Sequence, residues 1–83
     1  MQTFSKRISI EPGFEPEFHF AKIYTIQGVR FHVSVVDKEG QAWAFNMVLK
    51  ELEWIIINGP QVPCWVMDKE EQLQEIIIDN MLN

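Results

Sequence analysis

The sequence lacks long apolar runs and paired cysteines. No uninterrupted apolar run exceeds four residues, whereas a membrane span requires about 20. The opening residues lead into no apolar stretch, so we expect no secretory signal. Cys64 is the only cysteine and cannot form an internal disulfide. Because unpaired cysteines are typical of reducing compartments, we expect a cytoplasmic protein without membrane contact.

Clusters of basic residues are also scarce. Seven basic against twelve acidic residues give a net charge of -5, and only Lys6 and Arg7 are adjacent basic residues. Nucleic-acid binding draws its affinity largely from clustered Lys and Arg, so the composition argues against it. The acidic excess falls in residues 51–83, where we expect a solvated helix face. The alternative is an acidic surface that docks on a basic partner or imitates nucleic acid.

Length and composition indicate one globular domain. Eighty-three residues suffice for a single small core. Apolar residues make up 47% and charged residues 23% of the chain, as in ordinary soluble proteins.

Alternating apolar residues predict an antiparallel meander. In the run 29–35 apolar and polar side chains alternate, and in the run 18–26 large apolar side chains fall on even positions, with only Lys22 as an exception. A two-residue turn at Gln27-Gly28 would set Phe20 opposite Val35. The segment Asp37-Lys38-Glu39-Gly40 suits a type I turn closed by a left-handed glycine, which sets Val35 opposite Trp43 and Val33 opposite Phe45.

Residues 49–58 fit either a helix or a strand. Their aromatic and β-branched side chains favour a fourth strand, with a turn at Lys50-Glu51 that places Leu52 opposite Leu49. Residues 58–63 contain two prolines and predict a loop. Asp68 and Glu71 have the spacing of a capping box, so we expect a helix from Lys69 to Met81.

The predicted fold is α+β, a four-stranded antiparallel β-meander packed on one face by a C-terminal α-helix. Residues 18–83 form the domain. Residues 1–17 form an N-terminal arm, with a possible short edge strand around Ile8 and Ile10.

The meander has two faces of different character. The first face carries the aromatic residues and is the predicted core. The second face has fifteen predicted residues, eight of which are Ala, Val or Ile. One helix covers only one side of a sheet, so we expect an interface on the second face; the alternative is that residues 1–17 fold over it. The predicted interface residues are Ile23, Arg30, His32, Val36, Ala42, Ala44, Asn46, Ile55 and Ile57.

No motif predicts catalysis, a cofactor or a metal site. His19 and His32 share the second face, but the predicted register puts His32 opposite Ile23 and about 13 Å from His19, too far for one ion. Cys64 is expected to pack as a small apolar residue rather than act as a nucleophile. We therefore expect a protein that is not an enzyme.

A four-stranded meander followed by a helix is similar, in the order of its elements, to the repeats of the Whirly and Pur-alpha single-stranded-nucleic-acid binders. That resemblance implies a nucleic-acid-binding module as the alternative function. The favoured function is a small acidic interaction or regulatory module that forms a homodimer or binds another protein.

Overall fold

The computed structural model describes residues 2–57 and 62–81. Five strands form one antiparallel sheet in the order β1-β2-β3-β4-β5, and two helices follow. The elements are β1 (Gln2–Arg7), β2 (Glu17–Thr25), β3 (Gly28–Val36), β4 (Ala42–Lys50), β5 (Glu53–Ile56), α1 (Cys64–Met67) and α2 (Glu70–Met81). The α+β class, the meander and the C-terminal helix are confirmed, with five strands rather than four.

The additional strand, β1, lies upstream of the predicted edge strand. It pairs with β2 and sets Phe4 opposite Phe20, with the two rings stacked at 4.7 Å between centroids. Ile8, which was expected in a strand, follows β1 and is buried in the core. Phe14 contacts the ring of Trp65 in α1. The N-terminal segment thus extends the sheet and meets the helical side of the molecule.

The turn between β3 and β4 forms as predicted. The Gly40 N–H donates to the Asp37 carbonyl at 3.1 Å, and Gly40 has the left-handed φ of 85° that the turn requires. Val35 pairs with Trp43 and Val33 with Phe45, so this register is confirmed.

The turn between β2 and β3 lies one residue earlier than predicted. Tyr24 pairs with Val29, and Phe20 pairs with Val33 rather than Val35. Ile26 and Gln27 form the turn, and Gly28 is the first residue of β3, with a φ of 123°. The register shifts by two residues. Because side chains alternate with a period of two, every residue that lies in a strand keeps its predicted face. Ile26, which was predicted on the core face, lies in the turn and is exposed instead.

The turn between β4 and β5 lies one residue later than predicted. Glu51 and Leu52 form it, with φ values of 51° and 71°, and Trp54 pairs with Leu49. Two left-handed residues are the geometry of a type I′ hairpin, whose twist matches that of the strands. The fourth predicted strand exists, but Leu52 was wrongly placed on the core face: its side chain is 90% exposed.

Helix α2 covers the first face. Leu73 and Ile77 are fully buried in one cluster with the inward side chains of the sheet. The predicted helix is confirmed over Glu70–Met81, and α1 precedes it. Cys64 is exposed, contrary to its expected packing, while Val66 in the same helix is buried. The predicted loop at 58–63 lies partly outside the described residues.

Candidate interaction surface on the second sheet face

The strand register brings the predicted interface residues together on the second face. Val48 pairs with both Arg30 and Ile55, and Arg30 also pairs with Ile23, so one row of side chains crosses four strands. A parallel row places His32 beside Asn46, whose carbonyl accepts the N–H of Ile57 at 3.1 Å. Val36 pairs with Ala42, and Ser34 pairs with Ala44.

The described residues leave much of this face open to solvent. Val36 and Ile57 are 50% and 44% exposed, and Ala42, Ala44 and His32 are also exposed. The other predicted residues, Ile23, Arg30, Asn46 and Ile55, are half-buried among their neighbours. The described part of the N-terminal segment does not cover the face, because β1 adds to the sheet edge.

Strand β1 contributes polar residues that were not predicted for this face. Thr3 pairs with Ala21 and Ser5 pairs with His19, so their side chains extend the second face at its β1 edge. Phe4 is the one apolar residue of β1 and the only feature of the sequence that could have indicated this strand. The second face therefore carries hydroxyl groups at its β1 edge and mainly aliphatic side chains on β4 and β5.

The two histidines are closer than predicted. Ala21 pairs with His32, and Ser34 pairs with His19, so the histidines are diagonal neighbours on adjacent strands. Diagonal neighbours have Cβ atoms about 7–8 Å apart or less, and the predicted separation of about 13 Å was wrong because the register is shifted. Both rings line one depression of about 230 Å³ with the hydroxyl-bearing residues Thr3, Ser5 and Ser34.

The second face carries little of the acidic excess. Its strand positions hold three basic residues, Arg7, Arg30 and Lys50, and two acidic residues, Glu17 and Glu53. The whole chain has a net charge of -5. The acidic groups are therefore concentrated on the turns, loops and helices, away from this face.

Side chains of α2 occupy the outer edge of β5. The backbone N–H of Trp54 donates to Gln74 Oε1 at 2.6 Å, and that of Ile56 donates to Glu70 Oε2 at 2.8 Å. An edge strand normally presents such groups to other chains. Here two donors of the β5 edge are satisfied within the molecule.

A second group of exposed apolar residues lies at the end of the sheet that carries the β2–β3 and β4–β5 turns. Its exposed members are Tyr24, Ile26, Leu49 and Leu52. Ile26 and Leu52 lie within the turns. We call these four residues the hairpin-end cluster. It was not predicted as exposed, because the sequence places these residues on the core face.

Asp37 has a lowered pKa with a structural cause. The indole N–H of Trp43 donates to Asp37 Oδ2 at 3.0 Å, and the backbone N–H groups of Gln41 and Glu39 donate to Oδ1 at 2.9 Å each. The Trp43 and Gln41 bonds are the largest causes of the lowered pKa. These donors stabilise the charged carboxylate, so Asp37 organises the β3–β4 turn.

Among residues 2–57 and 62–81, no three His, Cys, Asp or Glu side chains are grouped so that they could hold a metal ion. In the same part of the chain, no helix combines the length and apolar character that crossing a bilayer needs. No protein-family model, curated protein or solved structure matches the chain. What the protein does must therefore be inferred from its surface.

Proposed function

We propose that the protein is a non-catalytic, cytoplasmic interaction module that forms a homodimer through its second sheet face. The observation that carries the proposal is the exposure of Val36, Ala44 and Ile57 on a face that the described N-terminal residues do not cover. Contiguous exposed apolar surface on a small protein is typical of an interaction site.

The size of the face suits a stable dimer. Its strands have six, nine, nine, nine and four residues. With a rise of about 3.3 Å per residue and a strand spacing of about 4.8 Å, the sheet projects about 600 Å². A standard interface buries about 800 Å² on each partner. The projected area of one face is therefore about three quarters of the area that each partner buries in a standard interface.

Charge opposes a second copy less on this face than on the acidic remainder of the surface. Two chains of net charge -5 repel each other at most approaches. The second face has a slight basic excess, so face-to-face contact keeps the acidic helices of the two copies apart. Arg30, His32, Asn46 and Glu53 are then the polar groups that fix the orientation of one copy on the other.

The β5 edge is an unsuitable site for association. Glu70 and Gln74 already accept the N–H groups of Ile56 and Trp54 there. Strand addition would have to displace both acceptors. Edge-to-edge pairing is therefore better suited to β1, and the experiment below distinguishes that arrangement from the face-to-face dimer.

Sedimentation velocity over a range of protein concentrations tests the proposal. We expect a concentration-dependent dimer for the wild type. Ala44→Asp and Ile55→Asp add a charge to the second face and should each give a folded monomer, with an unchanged circular dichroism spectrum. Ile26→Asp is the matched control: it adds the same charge to the hairpin-end cluster and should still dimerise.

Other results would assign the contact elsewhere. A wild-type monomer at the highest concentration would overturn self-association. A dimer disrupted only by Ile26→Asp would place the interface on the hairpin-end cluster, and a dimer that resists all three variants would indicate the β1 edge.

Single-stranded nucleic acid remains the alternative ligand. Base stacking uses exposed aromatic side chains on a basic surface, but the described strand positions of the second face hold no Phe, Tyr or Trp. We expect no retention on single-stranded oligonucleotides at low salt. Salt-sensitive retention that Arg30→Glu abolishes would support this alternative instead.

A further inference from the structure

We infer that the second face also binds a divalent transition-metal ion of the zinc class, held by His19 and His32 of two copies of the chain. The inference rests on the dimer proposed above, because one chain supplies two of the four ligands that a tetrahedral zinc site uses. Imidazole nitrogen is a preferred ligand of zinc, copper and nickel.

The geometry within one chain suits chelation. His19 and His32 are diagonal neighbours on β2 and β3, a spacing that lets long and aromatic side chains meet. Both line the same depression. No bulky side chain separates them, because the residues paired with them are Ser34 and Ala21.

The surroundings of His19 favour a bound cation. Glu17 Oε1 lies 3.7 Å from His19 Nε2, and Ser5 Oγ donates to Glu17 Oε2 at 3.3 Å. A carboxylate at this distance attracts a cation bound to the same ring. Arg7, which pairs with Glu17 in the strand register, donates from its guanidinium to the carbonyl of Glu15 at 3.1 Å.

His32 occupies the centre of the face. It is the fifth of nine residues in β3, and β3 is the middle strand of five. A two-fold dimer pairs the same patch on both copies. An axis through the centre of the face therefore passes close to His32 and brings two histidine pairs together, so that four imidazole nitrogens can surround one ion.

The experiment uses the full chain without a polyhistidine tag. Sedimentation velocity with EDTA is compared with sedimentation in added ZnCl2, and Co²⁺ reports coordination through its visible absorption, which is much stronger in tetrahedral than in hydrated sites. We expect one ion per two chains and a dimer dissociation constant lowered at least ~10-fold by zinc, since a ligand bound only by the dimer stabilises it.

Three variants sharpen the test. His19→Gln and His32→Gln alter exposed residues, so each should fold and lose the response to zinc. His19 is not among the residues proposed to orient the dimer, so His19→Gln should also retain the metal-free dimer. Ala44→Asp keeps both histidines but removes the dimer, so it should lose the tetrahedral Co²⁺ spectrum.

The outcomes separate this inference from the proposed dimer. A dimer unaffected by zinc, or one whose zinc response survives His32→Gln, would overturn the metal site and leave the dimer standing. A chain that is monomeric in EDTA and dimeric with one zinc per two chains would support the metal site and overturn the metal-free dimer. A monomer under both conditions would overturn both.

Discussion

The carboxylate of Glu70 accepts the backbone N–H of Ile56, with 2.8 Å between Oε2 and N. This bond joins the first turn of α2 to the outer edge of β5. Because Ile56 lies on the last strand of the sheet, its N–H has no strand on that side to pair with. The helix therefore covers the core and also completes the hydrogen bonding of the sheet edge.

Glu70→Ala should lower the free energy of unfolding by about 1–2 kcal/mol, because it leaves a partly buried N–H without its charged acceptor. Urea unfolding measures the change. Glu71→Ala is the matched control, since Glu71 also carries a charge in the first turn of α2 but is exposed. Equal losses in the two variants would show that helix charge, and not the edge contact, accounts for the effect.

Asp37→Asn should lower stability at neutral pH but much less in acid. The donors around Asp37 hold its pKa below the ordinary value of 3.8. Their contribution is complete above that value and is lost as the pH falls through the lower folded-state pKa. The difference in urea midpoint between wild type and Asp37→Asn should therefore be largest near neutrality and shrink below about pH 4.

Glu39→Gln controls for the loss of one negative charge in the same turn. Glu39 is exposed, so its variant should stay close to the wild type across this range. A constant difference between Asp37→Asn and the wild type at all pH values would contradict the linkage.

Leu52→Gly should stabilise the protein by about 0.5–1 kcal/mol. The left-handed conformation costs a residue with a side chain about 1–2 kcal/mol, and glycine avoids this cost while losing about 0.5–1 kcal/mol through its flexible unfolded state. Thermal unfolding should show a raised midpoint. Ile26→Gly, at a turn position without positive φ, should not stabilise; a gain there as well would implicate the removed apolar side chain instead.

Val66→Ala should lower the free energy of unfolding by about 2 kcal/mol, because Val66 is fully buried against the core. Cys64→Ser, two residues earlier in α1, should change it by less than about 0.5 kcal/mol, as expected for an exposed site. Guanidinium unfolding of the two variants gives the comparison. Similar losses would mean that α1 packs through Cys64 as well.

The sequence predicted the two faces of the sheet more reliably than its register. Asp37 and Gly40 specify their turn by chemistry, and that register was correct. Gly28 instead suggested a turn one residue too late, and nothing about Leu52 indicates a left-handed turn position. Both errors were even shifts, so residues that lie in the strands kept their predicted faces, whereas Ile26 and Leu52 lie in turns. The β2–β3 error also misplaced His19 relative to His32.

Strand β1 was missed for a different physical reason. Five of its six residues are exposed, so it has no apolar alternation to mark it, and only Phe4 connects it to the core. Its pairing depends on the open edge of β2, which a local pattern does not contain. The hydroxyl-bearing part of the second face was therefore absent from the predicted surface.

The Glu70 and Gln74 contacts limit how the protein can polymerise. Growth of a fibril by repeated strand addition requires two free edges on every molecule, one to receive a strand and one to offer the next. Two donors of the β5 edge are already used within the molecule, so one edge is closed to further growth. A chain that added a partner at β1 would stop at two molecules.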